Sequence, residues 1–430
     1  MDARAGLVTP ARNIGIVGVV LIATNGMVGT GIFALPGKLD AAVGSFAPLL
    51  LLIAGLGMTC IALSLADCAR HFDRSGGPML YVGTAFGPLS GFVIGWLSYV
   101  SRVTSIAANA TILATTAAVF LPWAGQPVGR ALVIGGLFGS LVTLNIVGVR
   151  RAIAALGAMT IFKLAPLVVL ALAALLIDGG GPAPVVPSFS AVEGIALVAL
   201  YAFTAFESAT VPAGETRDCK RAIPIAMVGS LLAVTMLYSA LQWAYGGAHL
   251  VNSDTPLIDL ARHLGGPAAA VAIALTVLVS IVGNQSSAIL ATSRLTVAMA
   301  EERMIPPGFA WLSPRFGTPV VSILFFGLTA LALALSGSFV FLAVVSSIAR
   351  LFAYLGCILA APRLDRMYGT HRAWPRRLLF PAIGAALCVW AASQSKPDEW
   401  RSLALLAGVG AFLYLVARRK PACPSTIPAV

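Results

Sequence analysis

A group of glycines breaks the first long apolar segment of the chain near its middle. The segment runs from residue 14 to 43, and Gly26-Met-Val-Gly-Thr-Gly31 interrupts it. Backbone groups left unpaired at bilayer depth persist only where protein, water or a bound polar solute satisfies them. Exposed amides and the positive end of a half-helix beginning at Ile32 suit a carboxylate, and unwound carbonyls suit an ammonium group. The break therefore predicts a solute site with the chemistry of an α-amino acid.

Two ionisable side chains inside other apolar segments are candidates for coupling. Glu207 lies beside a second interruption, which begins at Tyr201. Lys163 lies about 18 Å or more from either end of its segment at 1.5 Å per residue, too far for its side chain to reach an interface. We predict that both take part in coupling or gating. The alternatives are a structural carboxylate bonded between helices and a lysine packed against backbone carbonyls.

Two arginines also fall within apolar segments. Arg102 and Arg350 are expected to tie neighbouring helices together through carbonyl oxygens, with a pairing of Arg102 and Glu207 as the alternative. The apolar segments thus contain three basic side chains, those of Lys163, Arg102 and Arg350, and one acidic side chain, that of Glu207. Because arginine does not readily lose its proton, Lys163 is the base best able to relieve this imbalance by becoming neutral.

The composition is that of an integral membrane protein, since 59% of residues are apolar and only 10% are charged. Runs of about 18 to 25 apolar residues can cross the bilayer as helices. We predict an all-α protein with about twelve such spans, at 14–43, 46–68, 87–120, 130–149, 152–177, 191–215, 224–247, 266–296, 319–336, 338–361, 377–394 and 400–417.

The distribution of cations predicts the orientation. With both termini cytoplasmic, twenty Lys and Arg residues lie inside, five lie outside and three lie within spans, which accounts for all 28. Lysine and arginine are retained on the cytoplasmic side, and anionic lipid attracts them there. The net charge of +12 is thus explained without a nucleic-acid partner. We expect a multi-pass protein of the cell (inner) membrane.

Several classes of protein and site are not expected. The first span is too long and too broken for a cleavable signal peptide. None of the six cysteines falls in a predicted external loop, so neither structural disulfides nor a disulfide-linked partner subunit is expected. No cysteine or histidine pattern has metal-ligand spacing, and no phosphate-binding loop or nucleophile motif is present. We therefore predict no metal, no cofactor and no enzymatic activity.

The loops are short, so residues 1–430 are predicted to form one membrane domain. Paired broken helices are typical of secondary transporters built from inverted repeats. Five spans per repeat would place 14–177 and 191–361 in opposite orientations, each opened by a broken span. Spans 11 and 12, at 377–417, would be additions.

Motifs distributed over most of the chain resemble the amino acid–polyamine–organocation superfamily of permeases. They are Asn25-Gly-Met-Val-Gly-Thr-Gly-Ile-Phe-Ala-Leu-Pro36, Ser75-Gly-Gly-Pro78, Ala85-Phe-Gly-Pro88, Gly95-Trp96, Phe206-Glu207, Pro212-Ala-Gly-Glu215 and Ser293-Arg294. One departure is Cys219, which occupies a position where that superfamily usually has a proline. The resemblance implies a fold of the leucine-transporter type, in which a mobile bundle rocks against a scaffold.

The resemblance also implies roles for individual residues. Thr30 and Gly31 would hold the substrate carboxylate, and carbonyls matching Met27, Tyr201 and Thr204 would hold the amine. The segment around Lys163 is similar to that of sodium-independent amino acid permeases, in which a span-5 lysine occupies the place of a sodium ion. Further residues are candidates for the pocket lining: Gly29, Arg102, Phe206, Asn284 and Ala288.

The resulting hypothesis is a sodium-independent amino acid transporter that works by alternating access. No second pocket carboxylate is apparent, so neutral L-amino acids are favoured as substrates, carried by proton symport or by exchange. One alternative is an antiporter of cationic amino acids or polyamines, in which Glu207 would neutralise the cargo. The other, ranked last because the loops are short, is a sensor that binds amino acids without moving them.

Overall fold

The computed structural model of the protein describes residues 14–29, 31–73, 76–147, 152–210, 213–248, 250, 255–370 and 374–419. Thr30, predicted to bind the substrate carboxylate, lies outside the described residues. Within these ranges the chain is nearly all helical, and an isolated bridge between Ile14 and Thr216 is the one β-type pairing. Eight helices in the described part of the chain are long and apolar enough to cross a membrane.

Within the described residues, each of the twelve predicted segments contains helix, with boundaries that differ by several residues. The α-helices are α1 (Ile16–Met27), α2 (Gly31–Val43), α3 (Ala47–Ala69), α4 (Gly77–Phe86), α5 (Pro88–Ala117), α6 (Pro127–Val147), α7 (Ala152–Ile177), α8 (Phe189–Tyr201), α9 (Cys219–Gly247), α10 (Pro256–Glu301), α11 (Val320–Ser336), α12 (Phe339–Met367), α13 (Phe380–Ser393) and α14 (Pro397–Arg419). The short helix α4 was not predicted. It is separated from α5 by Gly87, whose φ of 98° a residue with a β-carbon rarely adopts.

The first predicted span is broken at the expected position. Helix α1 ends at Met27 and α2 begins at Gly31. The amide of Gly29 donates to the carbonyl of Met27 at 2.8 Å, two residues back, so the helical pattern of bonds to the fourth residue back stops here. The backbone of the break is therefore available to other groups.

The sixth predicted span is broken as well. Helix α8 begins at a capping serine, Ser188, whose hydroxyl accepts from the amide of Ala191 at 3.4 Å, and it ends at Tyr201. Turns follow as far as Ala205, which has a left-handed φ of 76° that stops an α-helix. A 3-10 helix, Phe206–Thr210, continues the span. The Glu207 carboxylate therefore lies directly after the break.

Helix α10 extends further toward its N-terminus than the predicted span. It is two helices that meet at Gly265 and Gly266, where the backbone is not helical and Gly266 has a φ of 68°. The predicted span, 266–296, corresponds to the second of these helices. The first was missed because Asp259, Arg262 and His263 interrupt its apolar pattern.

The broken helices pack within the helix assembly. Helix α1 contacts α9, α7 and the 3-10 helix after α8, while α2 contacts α8 and α10. Helix α12 also packs along α5, and α3 packs along α9. The packing brings both breaks, Lys163 on α7 and Glu207 into one region.

Candidate functional site

The two breaks lie directly against each other. A β-carbon on Gly26 would lie 2.8 Å from the Ser208 hydroxyl oxygen and 3.1 Å from the Ala205 carbonyl oxygen. A β-carbon on Gly31 would lie 3.4 Å from the Cα of Ala202. Glycine at position 26 allows the two backbones to approach this closely, whereas position 31 has room for a β-carbon but little beyond it. The glycines thus join the two breaks into a single structural unit.

The Lys163 ammonium group binds the carbonyl oxygens of the first break. Its Nζ donates to Asn25 O at 2.8 Å and to Val28 O at 2.6 Å, and the side chain is 1% exposed. Asn284 Nδ2, from α10, donates to the same Asn25 oxygen at 2.9 Å. Charge-assisted hydrogen bonds of this length are among the strong ones in proteins. Lys163 and Asn284 thus connect α7 and α10 to the end of α1.

Helix α5 contributes a polar contact to the end of α8. The Tyr201 hydroxyl lies 3.1 Å from Asn109 Oδ1 and 3.0 Å from the Ser105 hydroxyl. Asn109 Nδ2 and Asn284 Nδ2 would lie 3.7 and 3.8 Å from a β-carbon on Gly29, so two side-chain amides flank this glycine. The contact gives the site polar groups from both α5 and α10.

Glu207 is the acceptor of a buried network on α12. The Tyr354 hydroxyl donates to its Oε2 at 2.7 Å, and Arg350 Nη1 lies 3.3 Å from its Oε1. Arg350 Nε donates to the Ser101 hydroxyl on α5 at 2.7 Å. The expectation that Arg350 bonds to carbonyl oxygens is wrong, because a carboxylate is within reach and pairs with a guanidinium more favourably than a neutral carbonyl does.

Arg102 occupies a different environment from Arg350. Its side chain is partly exposed, and among the described residues it forms no hydrogen bond or ion pair. Its charge interacts at longer range with those of Glu207 and Arg350. The alternative in which Arg102 pairs with Glu207 is therefore not the arrangement seen, since Arg350 takes that position.

The remaining predicted pocket residues are distributed around the breaks. The Met27 carbonyl accepts from Gly29 N and from the Tyr238 hydroxyl at 3.4 Å, and the Tyr201 carbonyl accepts from the Thr204 hydroxyl at 2.8 Å. Phe206 is fully buried, with its ring centroid 5.0 Å from that of Tyr354. Ala288 is partly exposed on α10. The structure therefore gathers the predicted residues in one region but leaves their roles as predictions.

Comparison with known proteins identifies the family. The family model described as amino acid permease matches residues 14–395. The chain belongs to the amino acid permease family. This confirms the resemblance to the superfamily.

Curated relatives of the permease are named as transporters. An uncharacterized transporter of Mycobacterium tuberculosis is 28% identical over 417 residues, with 95% of this chain and 91% of the relative covered. An uncharacterized transporter of Mycobacterium bovis gives the same values. A second uncharacterized transporter of Mycobacterium tuberculosis is 27% identical, with 86% of this chain and 83% of the relative covered. Similarity along almost the whole chain supports a membrane transporter.

Several polar residues of the permease site were not predicted. Asn109, Ser105, Tyr238 and Tyr354 all bond to groups of the two breaks or to Glu207. Asn109 interrupts an apolar stretch of α5, and a polar amide in such a stretch is a usable signal. The tyrosines gave no comparable signal because a buried tyrosine in a membrane helix often only packs.

Proposed function

We propose that the permease is a sodium-independent secondary transporter that carries neutral L-amino acids by alternating access. Proton symport or exchange with an internal amino acid drives transport. In this proposal the chain crosses the cell (inner) membrane twelve times, with both termini cytoplasmic. Residues 14–177 and 191–361 form the inverted repeats, and the two spans at 377–417 are additions.

The observation that carries the proposal is the bonding of Lys163 to the first break. Two carbonyl oxygens, of Asn25 and Val28, converge on its ammonium group. Such convergent carbonyls suit a cation. Here the ammonium group of the Lys163 side chain occupies the position that a bound cation would take. A bound sodium ion is not needed to hold the end of α1, which supports transport without sodium.

The charges near the breaks favour a neutral substrate over a cationic one. Glu207 would have to neutralise a cationic cargo, but its two oxygens are engaged by Tyr354 and Arg350. Arg102 adds a further positive charge to the same region. A zwitterion, whose carboxylate meets amides at Thr30 and Gly31 and whose amine meets the carbonyls of Met27, Tyr201 and Thr204, requires no additional acid.

Lys163 and Glu207 are the candidates for proton coupling. Both are buried, and in alternating access the arrangement of both breaks would change: Lys163 bonds to the first break, and Glu207 belongs to the second broken span. A change of charge on either side chain would alter the bonds that hold the breaks together. Protons are thus the proposed second partner of the transporter where the mechanism is symport.

Flux measurements with purified protein in liposomes test the proposal. Uptake of radiolabelled leucine, alanine, methionine and arginine would be measured with sodium exchanged for choline and with imposed pH gradients. We expect uptake of at least one neutral amino acid, no dependence on sodium and no arginine uptake. Stimulation by an inward proton gradient would identify symport, whereas uptake that requires internal amino acid would identify exchange. Arginine uptake alone, or binding without flux or exchange, would contradict the proposal.

A further inference from the structure

Helix α5 carries a stripe of four polar residues that leads away from the first break. The stripe consists of Ser98, Arg102, Ser105 and Asn109. At 3.6 residues per turn, these side chains lie within about 60° of one another. Leu89 and Val93, which are exposed and apolar, project from the opposite side of the helix. The partly exposed Ser98, Arg102 and Ser105 thus lie on the side of the helix opposite Leu89 and Val93.

Helix α10, which packs against α5, carries a matching stripe. Its members are all partly exposed and lie within about 80° of one another: Asn284, Ala288, Ala291, Leu295 and Ala298. The exposed apolar residues Leu275 and Val279 project from the opposite side. The two stripes, called here together the vestibule, run from the break toward the N-terminal end of α5 and the C-terminal end of α10. Residues 31–37 of α2, on the other side of the break, are all buried.

The vestibule contains a positive charge without a close counter-charge. Arg102 forms no ion pair with the described part of the chain, and the nearby Glu207 carboxylate is already bonded to Tyr354 and paired with Arg350. A cation at membrane depth is costly unless water or an anion compensates it. A guanidinium group binds a carboxylate through two parallel hydrogen bonds, a geometry that an ammonium group cannot offer.

We propose that Arg102 is a second carboxylate-binding position, which receives the substrate carboxylate as it leaves the broken helix. This inference rests on the proposed function and names a release step for it. Asn109 flanks Gly29 of the first break, and Arg102 lies seven residues from Asn109, about 10 Å along α5. The carboxylate therefore occupies the break first and the position at Arg102 afterwards. In the proposed orientation the vestibule opens to the cytoplasm. The step requires a free carboxylate, which excludes simple amines from release by this route.

Transport measured separately from each face tests the proposal. Right-side-out and inside-out membrane vesicles would report the KM for the preferred neutral amino acid at the outer and the cytoplasmic face. Arg102→Gln should raise the cytoplasmic KM by about tenfold or more and change the outer KM by less than about twofold. Arg366, an exposed arginine on α12, provides a matched control, and Arg366→Gln should leave both values unchanged. An unchanged cytoplasmic KM in Arg102→Gln would overturn the proposal.

A second comparison tests recognition of the carboxylate itself. At the cytoplasmic face, the amino acid and its uncharged amide would compete with labelled substrate. The preference of each protein is the ratio of the inhibition constant of the amide to that of the amino acid. This ratio should be about fivefold greater for the wild type than for Arg102→Gln. If Arg102→Gln does not insert into the membrane, Arg102→Lys would be measured in its place. Its preference for the acid over the amide should lie between no preference and that of the wild type. An identical ratio in wild type and variant would refute the assignment.

The source of the carboxylate and the transport function are tested separately. Replacing chloride at the cytoplasmic face with isethionate should leave the cytoplasmic KM unchanged, whereas a rise in KM matching that of Arg102→Gln would assign Arg102 to an inorganic anion and overturn the proposal. If wild-type vesicles move no amino acid, the proposed function fails. If wild type transports and Arg102→Gln behaves like wild type, only the release site fails.

Discussion

Replacing Lys163 with alanine should slow transport strongly, because it removes the cation that holds the first break. The substitution deletes two charge-assisted hydrogen bonds, at 2.8 and 2.6 Å. At about 1.5 kcal/mol each, the lower end for bonds to charged groups, their loss costs about 3 kcal/mol. At about 0.6 kcal/mol each, the average for hydrogen bonds between membrane helices, it costs about 1.2 kcal/mol. We therefore expect the population closed around substrate to fall between about eightfold and about 150-fold.

Initial uptake of the preferred neutral amino acid into proteoliposomes, at equal amounts of monodisperse protein, measures this effect. Lys220→Ala is the matched control, since Lys220 is exposed near the start of α9, and it should transport at the wild-type rate. An inward proton gradient should accelerate the wild type if the lysine sheds its proton during the cycle. Full activity of Lys163→Ala would reduce the lysine to a packing residue. Strong stimulation of the wild type by sodium, relative to choline at matched pH and membrane potential, would refute the sodium-surrogate role.

Three further substitutions test neighbouring parts of the site. Glu207→Gln keeps the shape of the side chain but removes its titration, so the pH dependence of uptake should flatten, and an unchanged pH profile would make Glu207 a structural carboxylate. Gly31→Val should remove at least about four-fifths of transport by forcing the two breaks apart, at a cost of about 1–3 kcal/mol. Gly194→Val, at a position on α8 where a β-carbon meets open space, should have little effect. Normal substrate affinity of purified Gly31→Val would remove this glycine from the site. Tyr201→Phe loses the bonds to Asn109 and Ser105, so the apparent affinity for substrate should fall about fivefold, for about 1 kcal/mol, and an unchanged KM would contradict this.

The helical class and the two breaks could be predicted because their signals are local. Apolar runs of sufficient length specify spans, and the glycines near Gly29 and the polar residues after Tyr201 mark where two spans stop being regular. Burial of Lys163 could also be predicted, since its distance along the helix from either end is fixed by the rise per residue. These features depend on sequence spacing alone.

The partners of the charged residues could not be predicted, because they depend on how each helix is rotated about its axis. Arg102 and Arg350 have the same charge and similar apolar surroundings in sequence, but only Arg350 faces Glu207. The rotation is set by packing among α5, α12 and α8, and these contacts join residues far apart in the chain. Tyr354 escaped prediction for the same reason.

The bridge between Ile14 and Thr216 has a mechanical consequence. It attaches the chain just before α1 to the chain just after the second broken span, where the amide of Arg217 donates to the carbonyl of Ile14 at 2.9 Å. The close approach of Gly26 to Ala205 attaches the other end of α1 to the same span. Because α1 is attached to the second broken span near both of its ends, α1 cannot rotate independently of that span. Helix α1 and the part of the second broken span that follows Ala205 should therefore move together, so that a force applied to either one moves the other.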